Sequence, residues 1–517
     1  MNFELAKHAI EELIAVGVKE WIVCPGARNA PLVQVLLQSQ EILSFWPEER
    51  SAAFYALGRS KRLHQPVAVL TTSGTAAGEL LPALMEAYYS AIPLVAVTAD
   101  RPRRYRKTGA PQTAEQIGLY GIYADTRYDL EGEERCSLAD WDRMRPIHMN
   151  ICFEEPDRKV QEIKLQAKTA YTIPKEPLPS TEGLVRFFKR SKNPLIVVGG
   201  IPKKERSAVF KFLMETQAPV YLEAPSGLRE IDQLASLRVY EPLLKDYDGV
   251  LRIGQVPTHK LWRELEMKKE LLEVLSISSE PFSGLCATPL IHGEIGAVLE
   301  SYEDPAKRLA MPEELKDRQS EFHEALEKLI AEEPLAEASL IHELSKKLPV
   351  ASHVFLGNSL PIREWDLAAT YQPRNFDITT VRGLNGIDGQ ISCFLGSADP
   401  KCFNTAIIGD LTALYDMAGF WGVKQLPHLN FSVVIVNNHG GKIFAGMFPE
   451  EKIQNTHTLS FEHLAKFWGI PYEQWNEIPE NVNTQGQNII ELLPDPVQTE
   501  RFKQKLKSLQ LELQAVK

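Results

Sequence analysis

The sequence predicts an α/β protein of three consecutive doubly wound domains, each a mostly parallel sheet covered by helices. Three observations carry this. Short β-branched runs alternate with helix-length stretches along the whole chain, and parallel neighbours need crossovers of about a dozen residues or more. The chain has 517 residues, more than one hydrophobic core usually serves. Two breaks in composition divide it: "TIPKEPLPSTEG" (172 to 183), a linker with three prolines, and a Glu/Lys-rich stretch from about 302 to 334. The predicted domains are 1–172, 184–310 and 335–517.

The first domain opens on "MNFELAKHAIEELIAVG", a helix with Asn2 as its expected cap and Gly17 as its stop. "EWIVCPG" (20 to 26) reads as a strand. The segment 66 to 102 then reads strand, turn, helix, strand, a βαβ unit. "RPIHMNICFEEPD" (145 to 157) holds the last strand. In the second domain the strands are "NPLIVVGGIPKKE" (193 to 205), "APVYLEAPSG" (218 to 227) and "YDGVLRIGQVPT" (247 to 258). The third repeats the pattern in "HVFLGNSLPIREWD" (353 to 366), "NTAIIGD" (404 to 410) and "FSVVIVNN" (431 to 438), and closes on an amphipathic helix from 499 to 517.

Composition excludes several functions. A net charge of −11 argues against a general nucleic-acid or anionic-membrane surface. The basic "RPRRYRKTG" (101 to 109) therefore reads as a charged active-site loop. No apolar run reaches the length of a membrane span, and charges interrupt any signal-peptide core at the N-terminus. The six cysteines include no C-x-x-C pair and read as reduced thiols, so a cytoplasmic protein is expected. "VVGGIPKKE" lacks both the G-x-G-x-x-G and the G-K-[ST] phosphate loops, so no separate nucleotide site is expected there.

Two strand ends attract attention. "IIGD" stops on Asp410 and "FSVVIVNNHGG" on Asn437, Asn438 and Gly440. In open parallel sheets, ligands bind beyond the carboxyl ends of the strands. A carboxylate, an amide oxygen and a loop carbonyl are hard donors suited to Mg²⁺ shared with phosphates, and a helix starting near Thr412 would present its amides to the same anion. On the pairing alone, Asp410 as a helix cap with Asn437 and Asn438 in a turn is an equally good reading.

The surrounding residues decide between the two. "CPGARNAPL" (24 to 32), "GNSLPIREWD" (357 to 366), "RGLNGIDG" (382 to 389) and "GDLTALYD" (409 to 416), with "TSGTA" (72 to 76) and "TADRP" (98 to 102), resemble one family. It is the 2-succinyl-5-enolpyruvyl-6-hydroxy-3-cyclohexene-1-carboxylate (SEPHCHC) synthase family of thiamine diphosphate enzymes, which acts in menaquinone biosynthesis. The resemblance spans about residues 3 to 470 and is weakest in the middle domain.

That resemblance implies the thiamine diphosphate-dependent decarboxylase type of fold: a pyrimidine-binding domain, a central domain without cofactor, and a diphosphate- and metal-binding domain. It implies a homodimer or homotetramer with active sites between subunits. Asp410, Asn438 and the Gly440 carbonyl would hold Mg²⁺ or Mn²⁺, Ser359 and Thr412 would lie near the diphosphate, and Ile387 would prop the cofactor. Glu49, within "FWPEERSAAFYALG" and next to Glu48, aligns with the glutamate that bonds the pyrimidine and enables the cofactor's own nitrogen to act as internal base.

The family's reaction decarboxylates 2-oxoglutarate and adds the succinyl carbanion to isochorismate. Each substrate carries two carboxylates, and guanidinium forks suit them. Family positions for the substrate cations fall on Arg28, Arg101, Lys260, Arg363 and Arg382. Gln112 would contact substrate, and Ile443 and Phe444 would form apolar wall. Two residues depart from the pattern: Ala27 replaces a serine, and Pro111 replaces an asparagine beside Gln112. Those losses keep two alternatives in view. One is another thiamine diphosphate-dependent decarboxylase or carboligase with a different acceptor, and the other is a non-catalytic cofactor-binding homologue.

Overall fold

The computed structural model describes residues 2–155, 162–166, 168–173, 177–240, 247–257, 260–302, 309–448 and 450–515, with Lys260, Gln514 and Ala515 as backbone only. Part of the proline linker (174–176), part of the charged stretch (303–308) and the last two residues of the expected closing helix lie outside the described residues. Every strand pairing between the named strands is parallel. The chain divides into two compact units, one made of Met1–Glu176, Val381–Ala398 and Thr412–His428, the other of Pro177–Thr380, Asp399–Leu411 and Leu429–Lys517.

The first unit is built on β1 (Glu20–Val23), β2 (Ile42–Phe45), β3 (Val67–Thr71), β4 (Leu94–Asp100), β5 (Arg127–Glu131) and β6 (Ile147–Cys152). Their order is β2-β1-β3-β4-β6-β5. β1, β3, β4 and β6 are buried at every residue; β3 and β4 read as near-continuous apolar runs, whereas β6 alternates and buries the polar His148 and Asn150. The partly exposed edge strands β2 and β5 carry weaker signals and were not expected from the sequence.

Helix Glu49–Leu63 crosses helix Gln390–Ser397 at glycine contacts. A Cβ on Gly58 would lie 2.2 Å from the Cys393 carbonyl oxygen, and one on Gly396 would lie 2.2 Å from that of Tyr55. All eight residues of Gln390–Ser397 are buried, so this helix shows no polar face.

The second unit holds two sheets. One comprises β7 (Pro194–Val198), β8 (Val220–Leu222), β9 (Gly249–Ile253), β10 (Glu273–Ser278) and β11 (Leu290–His292), ordered β11-β10-β9-β7-β8. Its paired glycines after β7 serve packing: Cβ atoms there would lie 2.4 Å from the Gln255 carbonyl oxygen and 2.3 Å from its side-chain oxygen. The other sheet comprises β12 (His353–Leu356), β13 (Asp377–Thr379), β14 (Asn404–Gly409), β15 (Phe431–Val436), β16 (Tyr472–Trp475) and β17 (Gln487–Leu492). Its order, β13-β12-β14-β15-β17-β16, repeats the winding of the first sheet strand for strand.

Three local expectations are corrected. Asn2 does not cap its helix; its side chain bonds the backbone of Glu154, donating to the carbonyl and accepting the N–H, each at 3.3 Å. The helix after β14 starts at Asp410 itself and runs only to Tyr415, followed by a 3₁₀ stretch Met417–Gln425. The closing helix begins at Pro496, before the expected Thr499. Gly17 does end the first helix, with φ +99°. All six cysteines are free thiols. Among the described residues no helix is long and apolar enough to cross a membrane.

Candidate active site

In a doubly wound sheet the crevice opens where successive crossovers run in opposite directions, here between β1 and β3 in the first sheet and between β12 and β14 in the last. Several sequence-predicted residues lie just past strand ends of these two sheets. Arg28 follows β1, Glu49 follows β2, and Arg101 follows β4; Ser359 follows β12, Asp410 follows β14 and Asn438 follows β15.

In the first unit, a cleft of about 820 Å³ is lined by Glu48, Glu49, Ser73, Gly74, Glu79 and Gln112, among others. Glu48 caps helix Glu49–Leu63: its two carboxylate oxygens accept the N–H groups of Arg50 at 3.0 Å and Ser51 at 2.9 Å. Glu49 is half-buried, and burial holds its carboxyl above the ordinary range, opposed by its own backbone N–H and reinforced by Glu48 and Glu79.

The Gly74 turn of this cleft is held from below. Gln116, fully buried, accepts the Gly74 N–H at 2.9 Å and donates to the Ala99 carbonyl at 3.2 Å and to Asn150 Oδ1 at 2.8 Å. Asn150 passes the chain on to Asp100 and Asp129. Gly74 has φ +88°, and a Cβ there would sit 3.4 Å from the Gln112 backbone. Gln112 itself adopts φ +54°, a strained conformation for a residue with a side chain.

The "CPGARN" loop is braced by Asn29, which donates to the Cys24 carbonyl at 2.9 Å and accepts the Gly26 N–H at 2.8 Å. Arg28 is buried and donates to the Phe153 carbonyl at 3.1 Å and to Glu155 at 2.8 Å. Arg101 approaches the same Glu155 oxygen at 3.7 Å. Two predicted substrate cations thus converge on one carboxylate oxygen of an exposed side chain. Arg103, Arg104 and Arg106 are instead paired with Asp129, Glu134, Glu154 and Asp100, so most of the basic run is neutralised locally.

"RGLNGIDG" is pinned by a residue that sequence reasoning missed. The buried Glu86 accepts the N–H groups of Gly383 at 2.7 Å and Leu384 at 2.8 Å, fixing the segment that carries the buried Arg382 and the half-buried Ile387. Burial raises the Glu86 carboxyl. Asp416 closes the same region, accepting the backbone and hydroxyl of Ser392 at 2.8 and 3.0 Å and the Ser51 hydroxyl at 3.3 Å. Thr412 is buried on its short helix.

In the second unit, β14 and β15 pair to their last residues, Gly409 with Val436, which sets Asp410 and Asn438 beyond adjacent strand ends. Asp410 is 3% exposed; its Oδ2 accepts the Gly440 N–H at 2.8 Å and its Oδ1 the Leu411 N–H at 2.6 Å. His457 Nε2 lies 3.2 Å from Oδ2. Burial raises the Asp410 carboxyl. Asn438 Nδ2 donates to both oxygens of Glu337, at 3.2 and 3.0 Å, while its Oδ1 is buried with no hydrogen-bond partner among the described residues.

Gly440 has φ +134°, and a Cβ there would meet the Gln454 carbonyl at 2.7 Å, so only glycine fits. Its own carbonyl accepts the Lys442 N–H at 2.8 Å. Among the described residues no three His, Cys, Asp or Glu side chains form a metal cluster. The donor set here is mixed: one carboxylate, one unpartnered amide oxygen and one carbonyl, which fits a hard divalent cation completed by ligand oxygens.

Ser359, with φ +77°, stands at the N-cap position of helix Leu360–Ala368. From the same helix Arg363 donates to the Ser359 carbonyl and lines a smaller cavity of about 270 Å³ with Arg229, Arg238 and Tyr371. Ile443 is half-buried and Phe444 exposed on the 3₁₀ turn Lys442–Phe444. Lys260 begins helix Lys260–Lys268, and its side chain lies outside the described residues.

Comparison with known proteins gives the family. Residues 3–119 match the family model described as thiamine pyrophosphate enzyme, N-terminal TPP binding domain. A protein of Bdellovibrio bacteriovorus named 2-succinyl-5-enolpyruvyl-6-hydroxy-3-cyclohexene-1-carboxylate synthase is 41% identical, over 97% of this chain and 98% of that one. A protein of the same name from Akkermansia muciniphila is 35% identical over 96% and 97%. The crystal structure of benzoylformate decarboxylase from Polynucleobacter necessarius superposes with a TM-score of 0.72 at 16% identity, covering 95% of this chain and 98% of that one, which is a likeness of fold. Strand ends, glutamate cleft and full-length relatives lead to one assignment: the chain belongs to the SEPHCHC synthase family.

Proposed function

We propose that this protein decarboxylates 2-oxoglutarate and joins the remaining four-carbon unit to isochorismate, releasing CO₂ and giving SEPHCHC for menaquinone biosynthesis. It would do so in the cytoplasm as a homodimer or homotetramer with thiamine diphosphate and Mg²⁺ or Mn²⁺. The observation that carries the reading is Glu49, free of the capping duty taken by Glu48 and raised by burial in a cleft it shares with Gln112.

Thiamine diphosphate, when bound, supplies the electron sink for loss of the carboxyl group. Glu49 would hold a proton toward the pyrimidine ring, since a carboxyl with a raised pKa keeps its proton nearer neutrality. Asp410, Asn438 Oδ1 and the Gly440 carbonyl would hold the metal, with Ser359 and Thr412 near the diphosphate and Ile387 against the cofactor. Arg28 and Arg101 would clamp a substrate carboxylate; the Glu155 oxygen between them supports this, because one carboxylate oxygen already fits that gap. Lys260, Arg363 and Arg382 would take the remaining carboxylates, and Ile443 and Phe444 would supply apolar wall. The matching functional division is 1–172 for the pyrimidine, 184–310 without cofactor, and 335–517 for diphosphate and metal.

Mass spectrometry of the products formed from 2-oxoglutarate, with and without isochorismate, tests the proposal. A succinyl adduct that requires both substrates is the expected result. Equal release of CO₂ and succinic semialdehyde without isochorismate would move the assignment to a different acceptor.

A further inference from the structure

A primary amide has two ends of nearly equal size and opposite chemistry. The oxygen can ligate a cation; the nitrogen, a donor only, cannot. An asparagine that serves as a metal ligand therefore needs something to choose which end faces the ion. At Asn438 that choice is made by Glu337. Carboxylate oxygens accept, and both of them take the amide nitrogen, at 3.2 and 3.0 Å. The amide oxygen is left buried without a partner among the described residues, beyond the end of β15 and beside the strand end that carries Asp410.

Glu337 is itself fixed. It lies in the first turn of helix Glu337–Lys347, is 1% exposed, and its backbone N–H bonds Thr499 Oγ1 at 3.1 Å. Its carboxyl interacts with that of the buried Glu364, on the helix that follows Ser359. Burial raises both carboxyls, Glu364 well above the ordinary carboxylate range with the Glu337 charge adding to it.

We infer that Glu337 is a positioning residue for the divalent cation, orienting the Asn438 amide so that its oxygen and not its nitrogen is offered to the metal. The inference rests on the metal reading of Asp410 and Asn438 given above. Nothing in a sequence pattern of strand ends marks Glu337, which lies 101 residues from Asn438.

The test is a calorimetric titration of Mg²⁺ and thiamine diphosphate into metal-free protein. Glu337→Leu removes both acceptors at similar volume and should weaken Mg²⁺ affinity by about 10- to 100-fold, the usual effect of losing a residue behind a ligand. Asp410→Ala, the reference, should lose Mg²⁺-dependent cofactor binding altogether. Asn438→Asp should also bind Mg²⁺ weakly, because it sets two carboxylates against each other. Combining it with Glu337→Gln reverses the polarity of the pair and should restore much of that loss. A role in stability alone would shift the melting temperature without producing this rescue.

Wild-type Mg²⁺ affinity in Glu337→Leu, alongside a defective Asp410→Ala, would overturn the inference and leave the metal reading intact. Wild-type behaviour in Asp410→Ala would overturn the metal reading itself. Should Glu337→Leu fail to fold, lack of rescue in the double variant overturns the inference.

Discussion

Glu48 and Glu49 are neighbours with opposite occupations. Glu48 has both oxygens bonded to the backbone at the start of the helix, whereas Glu49 faces the cleft with its carboxyl raised by burial. Substitution should separate the two roles. Glu48→Ala should lower stability by about 0.5–2 kcal/mol, the range for a lost N-cap, and spare the chemistry. Glu49→Gln should fold normally, bind thiamine diphosphate and nearly abolish turnover. Denaturant melts and steady-state rates on both variants check this, and normal turnover in Glu49→Gln would remove its assigned role.

Gln116 supports the floor of the same cleft through Gly74. Gln116→Leu leaves the Gly74 N–H buried without an acceptor, a loss of roughly 1–3 kcal/mol. Gln116→Glu keeps an acceptor for that N–H but sets a carboxylate against Asn150 Oδ1, so it should recover only part of the loss. Urea unfolding of both variants measures the difference; equal stability of Gln116→Leu and the native protein would show that the turn holds itself.

Asp416 gives a pH signature. Burial pushes its carboxyl up to about 6, against the Ser392 bonds and Arg50, from an unfolded value of about 4. A raised carboxyl stabilises the fold fully below the unfolded pKa and loses that contribution as pH climbs through the folded one. Two units correspond to a contribution on the order of 2–3 kcal/mol. Asp416→Asn cannot titrate, so the native protein should lose stability relative to it between about pH 4 and pH 6. Parallel unfolding curves for the two across that window would contradict the assignment.

Gly58→Ala addresses the helix crossing. The added methyl would lie 2.2 Å from the Cys393 carbonyl oxygen, a backbone atom that cannot swing aside. Overpacking of this kind costs roughly 1–3 kcal/mol. Gly78→Ala is the control, since a Cβ there meets nothing within 4 Å. Thermal melts should show a clear drop for the first and almost none for the second.

Much of the fold was legible because parallel strands buried on both faces are mostly apolar, as the runs VAVL in β3, LVAV in β4, AII in β14 and VVIV in β15 are. β2, β5, β11, β13 and β16 were missed because they are short or partly exposed strands at a sheet's edge, and the interior β10 and β17 because EVLSIS and QNIIEL interleave polar residues with the apolar ones. Among the candidate site residues, Asp410 and Asn438 stood out by their position at strand ends, and Glu49 only through the family resemblance. Glu86, Gln116, Asn150 and Glu337 were not, for a common reason. Each acts by bonding a group far away in the chain, such as Gly383, 297 residues from Glu86, and a polar residue inside a helix or strand announces no such partner.

The first compact unit is discontinuous in the chain, and that has a consequence for how the protein is made. Helix Glu49–Leu63 leaves the ribosome long before Gln390–Ser397, the helix it packs against. At about 5–20 residues per second, synthesis of the intervening chain takes on the order of tens of seconds. Through that interval the face around Tyr55 and Gly58 has no native cover, so completion of the N-terminal unit is tied to translation of the last third of the message. Truncated chains ending before residue 381 should therefore be recognised by chaperones and proteases as unfinished, although every strand of the first sheet is already present.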